Sequence, residues 1–366
     1  MKEKNLINNL IMFSNIKRMI TKDEIHSMVT SCKDMGTSFD TLYTVYKVKK
    51  KSGGHRIITV PDSRLKEVQR VISSVFERAI VLMDNKEQKY VLSDHQEYTF
   101  RSGDSSFGFE KNKNIMMNAT MHAHHEYLFK TDISKFFDSF DVGMVKRTVH
   151  KAMKLNSDSL YKRRTLRKFT KEQKEYASCA LDIFNIKWRK KEFYYENLLT
   201  ALLCYKGKLA TGSPASPALA NLYMRPFDVG MNVFLKDVEI KTGQEFTYTR
   251  YADDIVISSN KPIPKYVKKH LKHRLQKFGL TMNESKTVCQ SNKRKNVVTG
   301  INITPEGKLT VGRKKKEEIK KMMYHFYILK DGKYSFSEVH GNIKYLQQVE
   351  PDYAEKVVRK YIITYH

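Results

Sequence analysis

Two adjacent carboxylates, Asp253 and Asp254, interrupt the stretch FTYTRYADDIVISS just before its apolar run at residues 255–257. Side by side at the mouth of a buried strand they repel each other, and desolvation penalises both charged forms. Three arrangements offset that cost: exposure at a turn, a cationic partner, or divalent metal ions. A tight hairpin turn between EFTYTR and IVISS would point both side chains at one place. Taken alone, such a doublet reads as an exposed acidic turn. A third carboxylate shifts the weighting, because Asp132 in KTDISKFFDSF also ends a strand-like run. Three carboxylates at the ends of neighbouring strands can hold two Mg²⁺ ions about 3.5–4 Å apart, an arrangement that serves phosphoryl transfer. Mg²⁺ prefers hard oxygen ligands and keeps water and substrate phosphates in its shell.

The elements that would position these residues are legible in part. In LYTVYKVKKKSGGHRIITVP, β-branched and aromatic residues flank a Ser-Gly-Gly break, which predicts a hairpin. Leu65, Val68, Ile72, Val75, Phe76 and Ala79 recur at helical spacing and predict an amphipathic helix. EYLFKTDISKFF predicts a strand running into a turn or helix start. The prolines of SPASPALANLYM can start a helix and its small residues let that helix pack closely. PKYVKKHLKHRLQKFGL is a basic helix that Gly279 can close. Short helices are expected in the first forty residues, mostly helix over 142–208, and a basic helical segment from VGRKKKEEIKKMMYHFYILK onward.

A chain of 366 residues is long enough for two or three domains or one multi-lobed enzyme. Lysine and arginine total 67 against 39 acidic residues, a formal charge of +28. That excess repels itself unless a polyanion shares the surface, with nucleic acid the first candidate and an anionic membrane the second. No run approaches the roughly 20 apolar residues of a membrane span, and asparagines break the apolar part of MKEKNLINNLIMFSNIKR, which makes a poor signal peptide. Cys32, Cys179, Cys204 and Cys289 lack paired spacing, which argues against a disulfide framework or a zinc site. The histidines of NATMHAHHEY have no second cluster to complete a zinc site either. The expectation is a cytoplasmic protein with no membrane association. Any single basic run is most simply a solvated helix face, but five in one chain favour nucleic-acid contact. A basic surface for a long polyanion is what a polymerase or nuclease adds to paired carboxylates.

YADD within RYADDIVIS, with DISKFFDSF upstream, resembles the palm of reverse transcriptases. GSPASPALANLYM resembles the segment that family places between them, GLTMNESKT a segment downstream, and KKSGGHRIITVP with LKEVQR the fingers motif. The pieces come in the family's order, from about Tyr46 to Gly300. NATMH, from Asn118 to His122, is similar to the Asn-Ala-x-x-His element of retron reverse transcriptases, and Val298-Thr299-Gly300 to their second mark. Group II intron enzymes and other bacterial reverse transcriptases share the palm but are not expected to show both marks. The resemblance implies an α+β, right-hand polymerase fold, with fingers, a palm of antiparallel sheet plus helices, and a helical C-terminal thumb. The expected division is an N-terminal helical region at 1–45, fingers at 46–128, palm at 129–140, fingers or a helical insertion at 141–208, palm again at 209–302, and an RNA-binding thumb at 303–366.

By the same resemblance Asp132, Asp253 and Asp254 are the catalytic metal ligands, helped by the carbonyl of Ile133, and hold two Mg²⁺ ions. Phe137 matches the ring that sits under the sugar and excludes a ribose 2′-hydroxyl; its alternative is a core phenylalanine. Lys50 and Arg56 match the fingers residues that hold the triphosphate, Lys50 as a point charge and Arg56 as a planar fork. Lys286 matches a palm lysine near the departing pyrophosphate, or else makes a structural salt bridge. The family commonly has Pro-Gln-Gly where this chain has Ala210-Thr211-Gly212. The glutamine's contact is therefore lost or taken by the threonine hydroxyl, and Gly212 still allows close approach to a nucleotide. Asn118 and His122 are expected in a structural or RNA-contacting element, and Arg313, Lys314, Lys315 and Lys316 on an RNA-binding helix. Trp188 could stack on a base or sit half-buried in a core.

The implied activity is RNA-directed DNA synthesis in a retron. The enzyme would copy part of a cognate structured non-coding RNA from deoxynucleoside triphosphates, priming on a 2′-hydroxyl of that RNA. The resemblance also implies a separate effector protein and a role in anti-phage defence. Oligomeric state is not legible. Two alternatives are a group II intron-like or other bacterial reverse transcriptase, and a non-catalytic RNA-binding scaffold restraining a toxic effector. The three intact aspartates argue against the scaffold.

Overall fold

The computed structural model describes residues 39–49, 53–161, 196–197, 199–291 and 296–363. In chain order the elements that matter are β1 (Tyr43–Lys49), β2 (His55–Pro61), α1 (Ser63–Asp84), β3 (Gln88–Val91), β4 (Glu97–Phe100), α2 (Ile115–Thr120) and β5 (Tyr127–Asp132). They continue with α3 (Val142–Tyr161), β6 (Cys204–Tyr205), β7 (Lys208–Leu209), α4 (Ser216–Thr242), β8 (Phe246–Tyr251), β9 (Asp254–Ser259) and α5 (Lys265–Lys277). The C-terminal part holds β10 (Val288–Ser291), β11 (Asn296–Val298), β12 (Ile301–Ile303), β13 (Leu309–Thr310), α6 (Arg313–Met323), α7 (Phe336–Val349) and α8 (Pro351–Val358). The mixture of helices with antiparallel sheets is the expected α+β class. No helix among the described residues is long and apolar enough to cross a membrane.

The chain forms two compact units whose segments alternate along the sequence. The first comprises Met1–Asp104, Ser134–Gly230 and Leu275–Thr281. Here β1 and β2 form the expected antiparallel hairpin. Asp62 caps α1, accepting from the Leu65 amide at 2.7 Å, and satisfies one of the free N–H groups at the helix start. The α1 stripe of Leu65, Val68, Ile72, Phe76 and Ala79 is buried, and α1 packs against α3. Burying such a side chain contributes about 1.5–3 kcal/mol. A buried cation also sits in this unit: Arg225 is 1% exposed and donates to Asp84 at 2.8 Å.

The second unit comprises Ser105–Ile133, Met231–Arg274 and Met282–His366. Its centre is an antiparallel sheet in the order β10-β5-β9-β8. FTYTRY and DIVISS are rich in the β-branched and aromatic residues that suit a pleated, half-buried surface. Ile255, Val256 and Ile257 are 0–1% exposed, so β9 is covered on both faces. A core joins Leu128 and Val256 of the sheet to Ala119, Val298 and Ile301 and to Ile319, Ile343 and Leu346 of the C-terminal helices. Ser335 caps α7 in a capping box with Glu338.

Candidate active site

The expected hairpin turn is present, and it is tight. Tyr251 and Asp254 are cross-strand partners, so Ala252 and Asp253 alone make the turn. Ala252 takes φ +56°, a left-handed conformation that costs a non-glycine residue about 1–3 kcal/mol and is found preferentially at functional sites. Asp132 ends β5 directly opposite Asp254, and the Ile133 amide donates to the Asp253 carbonyl at 2.9 Å. The sheet register therefore brings all three expected carboxylates to one end of adjacent strands.

Electrostatics mark the same place. Burial, then the neighbouring Asp132 carboxylate, push Asp253 up to about 6. Burial raises Asp254 as well, against the opposing pull of Lys130. Asp132 Oδ2 accepts from Lys286 Nζ at 2.7 Å and from Asn283 Nδ2 at 3.3 Å, and that bond holds the lysine above its usual range. Lys286 thus makes the salt bridge that was one of its two expected roles.

Among the described residues, no three acidic, histidine or cysteine side chains close into a preformed cage. The donor set nevertheless fits Mg²⁺, which binds through one or two carboxylates plus substrate phosphates rather than through an all-protein cage. Crowded, half-desolvated carboxylates are the groups a hard cation would relieve.

What holds the turn was invisible in the sequence. Residues 105–107 run alongside β8: the Arg250 amide donates to the Ser105 carbonyl at 2.7 Å, and the Phe107 amide to the Arg250 carbonyl at 2.9 Å. The Arg250 side chain is fully buried. Its guanidinium donates to the Ala252 carbonyl at 3.2 Å and to Ser106 Oγ at 3.1 Å. Gly108 lies so close that a Cβ there would sit 2.4 Å from the Ala252 nitrogen. The signals were an arginine inside an apolar strand and a glycine in SSFGFE, and neither names its partner.

The other expected site residues fall into different settings. Phe137 is half-buried beside Phe136, with centroids 5.3 Å apart; the fully packed rings are Phe136 and Phe140. Arg56 is exposed on β2. Lys50 and Trp188 lie outside the described residues. Gly212 does make a close approach, but to protein. Its amide donates to the Thr59 carbonyl at 2.9 Å, and a Cβ there would meet that oxygen at 2.5 Å. Packing against β2 therefore accounts for this glycine without a nucleotide.

Asn118 and His122 are 0% and 1% exposed, so as the fold stands neither side chain reaches a surface that RNA could touch. Of their two expected roles, structural or RNA-contacting, the geometry shows structural bonding. His122 Nδ1 pairs with Ser258 Oγ at 2.6 Å and its Nε2 with Thr249 Oγ1 at 2.7 Å, bridging β8 and β9. Burial holds the ring down to about 3, so it is neutral. Asn118 Nδ2 donates to Thr299 Oγ1 at 3.4 Å, and the Thr299 hydroxyl donates to the Ile115 carbonyl at 3.2 Å. The Asn-Ala-x-x-His and Val-Thr-Gly elements are thus in contact. Val298 and Ile301 pair across a two-residue turn in which Thr299 and Gly300 both have positive φ, which is why glycine suits the second position.

On the basic helix, Arg313 and Lys314 are exposed. Arg313 has Glu317 at 3.8 Å and Lys315 has Glu318 at 3.4 Å. Lys316 is a correction: its ammonium is bonded to Glu350 and lies over the Tyr353 ring at 4.2 Å. Its charge is already committed within the protein.

The family model for reverse transcriptase (RNA-dependent DNA polymerase) matches residues 48–320, and the chain belongs to that family. It is an RNA-directed DNA polymerase with the right-hand polymerase fold. Its relatives include retron reverse transcriptases. Retron Ec83 reverse transcriptase of Escherichia coli is 27% identical over 88% of this chain and 87% of its own length. Retron Ec86 reverse transcriptase of the same organism is 25% identical over 88% and 83%. Retron Ec73 reverse transcriptase, also from Escherichia coli, is 26% identical over 86% of both chains.

Proposed function

We propose that this reverse transcriptase serves a retron. It copies part of a cognate structured non-coding RNA into single-stranded DNA, primed from a 2′-hydroxyl of that RNA, and acts with a separate effector protein in anti-phage defence. The observation that carries the catalytic part is the convergence of Asp132, Asp253 and Asp254 at one end of the β5-β9-β8 sheet. The contact between the two retron marks supports the retron assignment.

Asp132, Asp253 and Asp254, with the Ile133 carbonyl, would hold two Mg²⁺ ions. When bound, such a pair activates the attacking hydroxyl and neutralises charge on the departing pyrophosphate. The chain's own groups do the rest. Lys286, which is bonded to Asp132, follows charge toward pyrophosphate. Phe137 stands under the sugar and excludes a 2′-hydroxyl. Arg56, on β2, and Lys50 hold the triphosphate, as the fingers. Arg313, Lys314 and Lys315 contact RNA from the thumb by backbone and shape.

The test is the nucleic acid that co-purifies with the protein from its native host, treated with RNase and then with a debranching enzyme. A discrete DNA that shortens after both treatments supports a 2′-linked RNA–DNA product. RNA alone, with no synthesis on a supplied primer and template, overturns the reading in favour of a scaffold.

A further inference from the structure

The β1–β2 hairpin carries Arg56 three residues from Thr59, yet little of the hairpin is covered. Val45 and Ile57 on one face are 47% and 61% exposed, and Tyr46 and Val48 on the other are 53% and 45% exposed. A two-stranded ribbon with two open faces does not hold its own position. Its base is fixed by the Tyr43 hydroxyl, which donates to the Leu202 carbonyl at 3.0 Å.

Further along the ribbon, at the free edge of β2, Thr59 meets the loop Ala210-Thr211-Gly212. The Thr59 amide donates to Thr211 Oγ1 at 2.9 Å. The Thr211 amide donates to Thr59 Oγ1 at 2.9 Å. The Gly212 amide donates to the Thr59 carbonyl at 2.9 Å. The two hydroxyls are 3.3 Å apart. Each threonine hydroxyl thus satisfies the other residue's backbone, and the loop extends the ribbon's edge for one residue. Thr211 stands where the family commonly has glutamine. A long amide at that position could not reproduce this short reciprocal pair.

We infer that Thr211 is a positioning residue. Its hydroxyl clasps Thr59 and so holds the β1–β2 hairpin in the pose in which it binds the incoming nucleotide. This rests on the proposal that the hairpin holds the triphosphate.

The test uses the full-length enzyme with its template RNA and three variants. Thr211→Val keeps the shape and removes the hydroxyl, Thr211→Ser keeps the hydroxyl, and Arg56→Ala tests the triphosphate contact by itself. Losing one hydrogen bond of this kind shifts an equilibrium about fivefold. The expected results for Thr211→Val are a KM for deoxynucleotide raised about fivefold, kcat within twofold of the parent, and faster hydrogen exchange at the amides of residues 57–60. Thr211→Ser restores both readouts. Unchanged exchange in Thr211→Val overturns the clasp. Faster exchange with an unchanged KM overturns the positioning role if Arg56→Ala still raises KM. If Arg56→Ala also leaves KM unchanged, the triphosphate proposal falls and takes the inference with it. A Thr211→Val protein that does not fold is replaced by Thr59→Val, which removes the reciprocal hydroxyl and is held to the same two readouts.

Discussion

Replacing Gly108 by alanine should damage catalysis while leaving RNA binding and folding intact. The new Cβ would sit 2.4 Å from the Ala252 nitrogen and 2.9 Å from the Tyr251 carbonyl carbon. Both are backbone atoms, so no flexible side chain can swing aside. Ordinary contact begins at 3.4 Å, so the turn or the 105–108 loop must yield by about 1 Å. Arg250 ties both segments together through Ala252 and Ser106, which makes independent relief by the loop difficult. The residue after Ala252 is Asp253. A displacement of about 1 Å at a reacting group costs on the order of 100-fold, or about 2.7 kcal/mol in the barrier. The assay is single-turnover primer extension on an RNA template at saturating deoxynucleotide, with template affinity and thermal unfolding measured on the same protein. Gly341→Ala is the control: it lies in α7, nothing approaches its Cβ site within 4 Å, and helix propensity should stabilise it by about 1 kcal/mol. If Gly108→Ala extends primers within threefold of the parent rate while folded, the loop does not fix the turn and the reasoning is wrong.

Other outcomes follow from the same geometry. Asp253→Asn with Asp254→Asn should reduce DNA synthesis by at least about a thousandfold while RNA affinity in a filter-binding titration stays within threefold; loss of RNA binding would show that the pair does more than chemistry. Phe137→Val should relax discrimination against ribonucleotides by about tenfold or more, read from competing incorporation of the two sugar types, and undiminished discrimination would remove Phe137 from that role. His122 is held at about 3 by burial, with His125 a lesser cause, against about 6.5 when unfolded. Because the folded value is depressed, its contribution is intact above pH 6.5 and drains as pH falls, by about 2 kcal/mol at pH 5. Urea unfolding at pH 7 and pH 5 should show the parent losing that much more than His122→Asn, and equal losses would contradict the assignment.

The sequence disclosed whatever has a period or a local rule. The hairpin at β1–β2 came from its glycine break, α1 from its apolar spacing, and the Ala252-Asp253 turn from the doublet between two strand-like runs. Tertiary partners carry no such signal. Nothing around Thr211 indicates that its hydroxyl meets Thr59, which lies 152 residues away. Arg250 reads as one more cation in a basic chain until the fold buries it completely. Asn118 and His122, exposed by default as polar residues, are interior because their bonding partners are strand hydroxyls and a turn threonine. Lys316 was misread for the reverse reason. Within a run of four cations, spacing cannot show which one is met by Glu350, 34 residues further on.

One alternation in ADDIVISS serves both chemistry and packing. Cross-strand partners share a face, and side chains two apart on a strand share it as well. Asp254 lies opposite Asp132, Val256 opposite Lys130, and Ser258 opposite Leu128. Along this one face the sheet passes from the carboxylates, through Lys130 and Val256, to Leu128 and Ser258. Val256 and Leu128 join the core with Ile301 and Ile319, while Ser258 is bonded to His122. A slip of one residue in β9 would send Asp254 to the opposite face and at the same time take Ser258 off His122. Loss of the bond to His122 thus penalises a one-residue slip that would misplace Asp254. His122 of the Asn-Ala-x-x-His element, bonded to Ser258 on β9 and Thr249 on β8, thereby helps fix the strand register on which the position of Asp254 depends.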